Sequence, residues 1–367
     1  MAEPSILFSP IAVGGVTIPN RFARSATQDY LAADDGAVTD RQVELYSRLA
    51  EGEVGLIISG HAFVRPDGQA SPRQLAVHDD RFIEGLSRVA AAVHRFPSRI
   101  FLQIAHAGRQ TKERLCGCVP VSPSAVHDPV SKIMPRELAR DEVRAVIADF
   151  VQAARRAREA GFDGVQLHVA HGYLLSSFLS PHTNRRTDEW GGPLENRARV
   201  VVEILRGIRR LPGRFPVIAK LNSSDLFPGG GLTLEESVRA AAIFEAEGLD
   251  GVEVSGGMAG AGRGSIWPGL RKPEDEGYFV EAAARVKAAV KVPVFGLGGI
   301  RSLEVAEGFV RRGLVDLVSM SRPFIRDPYL VKRFREGRLT LAECISCNKC
   351  NNPRGISCGE LKAKKSS

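Results

Sequence analysis

One unit recurs along this sequence about eight times: a short apolar run, a turn, and an amphipathic segment of helical period. The runs that predict strands are 22–25, 55–59, 100–104, 164–169, 217–221, 251–254, 292–295 and 315–320. The segments that predict helices include 40–51, 80–94, 140–160, 194–211, 234–247, 278–290, 303–311 and 328–335. Some boundaries have an evident cause. Thr233 followed by Glu236 is a capping-box signature at a helix start. Gly161, Gly248 and Gly313 each follow a predicted helix, where a left-handed residue ends it. Alternating strands and helices imply a parallel sheet covered by helices, and about eight such units fit a closed (β/α)8 TIM barrel better than an open sheet. The length of 367 residues suits one such barrel with insertions. No linker or low-complexity segment divides it. The expected division is a barrel over 1–340 and a short cysteine-containing tail over 341–367 that is not an independent domain. Residues 11–19, with Gly14-Gly15 between apolar pieces, predict a hairpin lid over one end. The longest irregular region, 107–135, follows the third strand and predicts an insertion or lid.

Composition excludes several classes. Apolar residues make up 44% and charged residues 25%, which suits a globular core. No apolar stretch reaches the roughly 20 residues of a membrane-spanning helix. The net charge of +8 comes from scattered Lys and Arg with no nucleic-acid motif, and it equally suits a handler of phosphorylated cofactors. Six cysteines without an evident signal peptide lead to the expectation of a reducing, cytoplasmic setting. Neither a membrane nor a nucleic-acid partner is expected, and the sequence leaves homo-oligomerisation open.

The chemistry concentrates in Gly164-Val165-Gln166-Leu167-His168-Val169-Ala170-His171-Gly172-Tyr173. Val165, Leu167 and Val169 alternate with Gln166 and His168, the two-residue period of a strand, and the run is expected to break into a loop at Gly172. His168, His171 and Tyr173 therefore gather where a strand ends, which in such a barrel is where active sites form. Two imidazoles three residues apart can donate to one oxygen, and a phenol can supply a proton from another side. The same cluster also reads as a satisfied polar group or half of a metal site. Two further loops point to phosphate. The seventh strand ends in Gly296-Leu297-Gly298-Gly299, whose glycines expose backbone N–H groups. The eighth ends in Met320-Ser321-Arg322, and Arg322 can hold phosphate oxygens with its planar fork. The loops after strands seven and eight form the common phosphate site of this fold.

With these motifs on the page, the chain resembles the old yellow enzyme family of flavin-dependent reductases. The resemblance runs through Ile18-Pro19-Asn20-Arg21-Phe22, Leu102-Gln103-Ile104-Ala105-His106-Ala107-Gly108-Arg109 and His168–Tyr173, and most specifically through the segment from Phe178 to Arg197. It implies FMN in the barrel mouth, reduced by NADH or NADPH, and a small enone or enoyl substrate. His168 and His171 would bind the carbonyl oxygen, and Tyr173 would donate the proton. Gln103 would hold the flavin pyrimidine edge, and Ser25, Ala26 and Thr27 would lie along the ring. Gly298, Gly299, Ser321 and Arg322 would take the phosphate. Three positions depart from the family pattern. Lys220 stands where many relatives have Arg, as a point charge near the flavin N1 and O2. Gln28 stands where relatives often have Cys or Thr. Gly60-His61 follows the second strand at a cofactor-facing place, and His61 either lines the pocket or caps the strand.

The tail carries Cys344-x2-Cys347-x2-Cys350-x7-Cys358. This spacing suits a 4Fe–4S cluster or zinc, and a remnant holding free thiols is the plainer alternative. Larger members related to dienoyl-CoA reductase and trimethylamine dehydrogenase have a similar cluster after the barrel, with a longer last gap. Those proteins add a second nucleotide-binding region, which is not expected before Ser367. Cys116 and Cys118 read as incidental. Three functions stand: an FMN-dependent ene-reductase, a flavin/iron–sulfur electron-transfer dehydrogenase, and a metal-dependent barrel hydrolase using His168 and His171.

Overall fold

A computed structural model describes residues 5–361, apart from positions 229, 259, 263 and 351. Among these residues eight parallel strands close into a barrel: β1 (Phe22–Arg24), β2 (Leu56–Ile58), β3 (Arg99–Ala105), β4 (Gly164–Val169), β5 (Val217–Asn222), β6 (Gly251–Ser255), β7 (Val294–Gly296) and β8 (Leu317–Met320). Each pairs with the next in sequence, and β8 pairs with β1. The expected TIM barrel is therefore present, with each predicted strand overlapping an observed one. Helices Asp40–Glu51 and Leu303–Arg311 have the predicted bounds. The predicted helix over 80–94 begins as a 3-10 turn, Asp80–Phe82, before Ile83–Val93. That over 278–290 is shorter, Val280–Lys287.

The expected loop after Gly172 is brief. A helix, Leu174–Leu179, starts directly beyond Tyr173, and all six of its residues are buried. A helix buried on every side has no polar face, so it shows no amphipathic stripe to read. The region 107–135 is a packed insertion rather than an open lid. It holds the helix Glu113–Cys116 and the strand Val121–Ser122, which pairs with Arg136–Glu137. Arg109, fully buried, anchors it to Asp128 at 3.7 Å. Cys116 packs inside it, its thiol donating to the Cys118 carbonyl at 3.1 Å.

The strand period sorts side chains between two cores. Val165, Leu167 and Val169 of β4 point outward and pack with the covering helices through Val146, Phe150 and Leu205. Inside the barrel, Ala23, Leu56, Ile58, Phe101, Ile218, Phe295 and Leu317 form a separate apolar plug near the strand starts. Val13 and Ile18 of the hairpin Ile11–Val13/Val16–Ile18 complete that plug. The hairpin lid thus closes the N-terminal end of the barrel. Its turn needs Gly14, which has φ +59° and where a Cβ would lie 2.8 Å from the Cβ of Pro216. The other end is left open for a site.

Candidate active site

A cavity of about 450 Å³ opens at the C-terminal strand ends. That is the size range of a site for a cofactor or drug-sized ligand. His168, His171 and Tyr173 all line it, as do Ser25, Ala26, Thr27, Gln28, Gln103, Lys220, Gly298, Gly299, Ser321 and Arg322. His61 lines it too, so it faces the pocket rather than only capping a strand. Gly60 is not brought there. Its N–H donates to the Tyr46 hydroxyl at 2.8 Å, and a Cβ at this position would meet the Thr27 carbonyl at 3.0 Å. Its place is behind the cavity wall, where the backbone of the β1 extension passes closely.

The two expected imidazoles stand edge to face, with ring centroids 5.2 Å apart, and Tyr173 lies 4.5 Å from His168. His168 ends β4. His171 is held beyond the strand in the left-handed region, at φ +63°. A non-glycine residue rests there only when its surroundings hold it. Two amides do so: Asn222 Oδ1 accepts from the His171 N–H at 3.1 Å, and Gln110 Nε2 donates to its carbonyl at 2.6 Å. The His171 Nε2 also shares a 2.7 Å hydrogen bond with the Ser255 hydroxyl. Burial, with Lys220 and His61 nearby, lowers the His171 pKa to about 3. Burial likewise holds His168 well below the ordinary histidine range, helped by His171, His61 and Lys220. Both rings are therefore neutral at pH 7, able to donate one N–H each. Burial also pushes the Tyr173 phenol up to about 12, so it carries its proton.

The cavity floor is a layer of inward polar side chains. Gln103 Nε2 donates to Gln166 Oε1 at 2.6 Å, and Gln166 Nε2 donates to Glu253 Oε2 at 2.9 Å. The carboxylate can only accept, so it fixes both amide orientations in turn. Gln103 Oε1 is thereby left as an acceptor, suited to a ring N–H. Lys220 Nζ sits 3.2 Å from Glu253 Oε2 and donates to Ser25 Oγ at 2.8 Å. Gln166, Glu253 and Ser255 were not picked out in the sequence. A glutamate between valines in Gly251-Val252-Glu253-Val254 was the available signal for a buried acid.

The phosphate-facing wall is also assembled. Gly298 and Gly299 have φ of +126° and +76°, and a Cβ on Gly298 would come within 2.7 Å of the Tyr278 nitrogen. The backbone there passes too closely for any side chain. Thr27 Oγ1 and Ser321 Oγ lie 2.6 Å apart. Arg322 commits Nη1 to the Trp267 carbonyl at 2.9 Å and to Asn348 Oδ1 at 2.6 Å. Gln28 Nε2 donates to Ser71 Oγ at 2.8 Å.

The model of the NADH:flavin oxidoreductase / NADH oxidase family matches residues 6–340. The chain belongs to that family. It is of the old yellow enzyme type, whose members are flavin oxidoreductases that use NADH or NADPH. An NADH oxidase of Thermoanaerobacter brockii is 40% identical over 347 residues, 93% of this chain and 52% of that protein. An NADPH dehydrogenase of Geobacillus sp. (strain WCH70) is 35% identical, covering 89% of this chain and 92% of that one. A 2-naphthoyl-CoA reductase solved with 2-naphthoyl-CoA has a TM-score of 0.87 at 32% identity, over 95% of this chain and 54% of that one. The old yellow enzyme homologue of Zymomonas mobilis has a TM-score of 0.81 at 27% identity, covering 97% and 98%. The chain spans about half the length of the first curated relatives it matches.

In this family member the tail closes one side of the mouth. Ser346, Asn348, Cys350 and Ile356 line the main cavity. The Ile356 N–H donates to the Asp29 carbonyl at 2.8 Å. Cys344, Cys347, Cys350 and Cys358 surround a second cavity of about 130 Å³, which shares Arg322, Ile325, Asn348 and Cys350 with the first. The structure therefore brings together the four cysteines that the spacing singled out. Among the described residues no three His, Cys, Asp or Glu converge as ligands of a single metal ion.

Proposed function

We propose that the chain is an FMN-dependent ene-reductase acting on α,β-unsaturated carbonyl compounds. The carrying observation is one cavity that unites two buried imidazoles and a phenol with a glycine-and-arginine wall and a buried lysine. The residues fit FMN: the glycine cradle, Ser321 and Arg322 for the phosphate, Ser25, Ala26, Thr27 and Gln28 along the ring. Gln103 offers its acceptor to the pyrimidine edge, and Lys220 offers positive charge beside N1 and O2. When bound, FMN supplies the redox chemistry, taking a hydride from NADH or NADPH and passing it to the substrate C=C bond. His168 and His171 hold the substrate oxygen, where negative charge builds, as an oxyanion hole does. Tyr173 gives its proton to the α-carbon as general acid. Heating the purified protein should release about one FMN per chain, and FAD, or no flavin after reconstitution, would sink this reading.

The cysteine cavity supports a second, compatible role as a flavin/iron–sulfur dehydrogenase. Its shared wall with the main cavity favours a 4Fe–4S cluster on Cys344, Cys347, Cys350 and Cys358, beside the flavin site. Protein prepared anaerobically should then hold about four irons per chain, as a cubane requires. Iron near zero after reconstitution would leave only zinc or free thiols. In this reading 341–367 is an extension of the barrel rather than a domain, although 362–367 lie outside the described residues. A cytoplasmic setting fits the six unpaired cysteines. Among the described residues no helix is long and apolar enough to cross a membrane.

A further inference from the structure

We propose that His61 is a specificity-determining residue: a third N–H donor that binds a second acceptor atom of the substrate, beside Tyr173 and the His168–His171 pair. The inference rests on the reading of the cavity just given. Its strength is that the proton of His61 can be located by hydrogen-bond logic. Gln74 Oε1 accepts from the Ala70 N–H at 2.7 Å and the Ser71 N–H at 3.3 Å. The nitrogen end of that amide must then be the donor. It points to His61 Nδ1 at 2.7 Å and to the His61 carbonyl at 3.2 Å. Nδ1 is therefore an acceptor and bears no proton. Burial, with Lys220 adding repulsion, lowers the His61 pKa to about 4, so the ring is neutral. A neutral imidazole carries one proton, and here it is on Nε2. That Nε2–H has no hydrogen-bond partner among the described residues, and the ring lines the cavity.

The rings also stand close together. His61 lies 5.4 Å from Tyr173 and 6.2 Å from His168. Tyr173 lies 4.5 Å from His168, and His168 lies 5.2 Å from His171. His61, Tyr173 and His168 thus make a compact triangle, and the lone donor of His61 flanks both the acid and the oxygen-binding pair. A substrate with a single carbonyl fills the pair and leaves the His61 N–H unpaired in a desolvated place. A substrate with a second acceptor, such as an ene-dione, satisfies both. Sites built to hydrogen-bond a substrate atom reject analogues that lack it.

Two phenols provide the test, since a phenolate oxygen occupies the place of the substrate oxygen. Phenol has no second acceptor, and 4-hydroxybenzaldehyde carries one at the far end. Both would be titrated calorimetrically into FMN-reconstituted wild type, His61→Leu and His61→Gln. The His61→Leu change should weaken the aldehyde about tenfold, as loss of one hydrogen bond does, and leave phenol within about twofold. His61→Gln keeps an N–H donor and should recover part of the loss. Equal losses for both ligands, or none for the aldehyde, would overturn the proposal. Imidazole nitrogen–proton correlation spectra of the wild type give a readout free of mutation: the His61 proton should sit on Nε2, and finding it on Nδ1 overturns the assignment. If neither phenol bound the wild type, the oxygen-binding reading of the whole cavity would fall, a result distinct from a selective null at His61.

Discussion

The lower and upper halves of the barrel interior are made by the same strands and have opposite chemistry. In the lower half Phe101, Ile218 and Phe295 pack with Val13 and Ile18 into a plug without a polar side chain. Two residues further along, the same inward rows of β3 and β5 place Gln103 and Lys220, and β4 and β6 contribute Gln166 and Glu253. A strand advances two residues to return to the same face. One step of that period therefore converts sealed core into functional floor. The plug makes the fold stable enough to hold buried charge above it, and the layer above makes that charge useful.

The sharpest way to break this comparison is in the upper half alone. Tyr173→Phe removes a hydroxyl and keeps the ring. Enone-driven flavin reoxidation should fall about 100- to 10,000-fold, the usual worth of general acid assistance, while reduction by NAD(P)H is spared. Stopped-flow measurement of the two half-reactions decides it, and reoxidation at the wild-type rate would place the proton source elsewhere. The complementary change in the lower half is Phe101→Ala. It empties a fully buried site and should cost about 3–5 kcal/mol in denaturant unfolding. Purified folded protein should keep its flavin potential. A shifted potential with little lost stability would mean that the two halves are not separable.

Lys220→Met acts at the boundary. It removes positive charge from the floor and strands Glu253 in a place with no solvent exposure. Loss of one partner of a buried pair should cost about 3 kcal/mol, and the flavin potential should fall. Adding Glu253→Gln should restore much of the stability, which a thermal melt would read. An unchanged potential in the single variant would show that the charge of Lys220 does not reach the flavin. The smallest effect is a pH slope. His61 and His171 have folded pKa values lowered to about 4 and 3 from 6.5. The unfolded chain binds more protons below 6.5, so their contribution to stability is complete above that pH and is lost on acidification down to the folded values. Each should contribute up to about 1.4 kcal/mol per pH unit in that window. Replacing His61 by Leu should flatten the slope of unfolding free energy between pH 6 and 4, two values chosen roughly to bracket the change. An unaltered slope would mean that the ring is already protonated in the fold.

Much of this was legible in the sequence because barrel strands and their helices carry strong periods. The helix Leu174–Leu179 was not, since it is wrapped on all sides and has no polar stripe. The conjunction of His168, His171 and Tyr173 was visible because all three fall within one short run. The Gln103–Gln166–Glu253 relay was hidden, because its members come from three strands and each alone reads as an odd polar residue in an apolar run. Gly60 was misplaced by one residue's worth of geometry: it is next to the wall, and the side chain of His61 is what reaches the cavity.

The tail described above also sets a calendar. The barrel's last strand is complete once Met320 has been synthesised, yet the wall holding Asn348, Cys350 and Ile356 follows about 2–7 seconds later, at about 5–20 residues per second. A nascent chain therefore passes through an interval in which the barrel can close but its mouth lacks one side. Flavin met in that interval would find the glycine cradle without the Asn348 brace on Arg322. Secure capture of the cofactor waits for that wall to arrive.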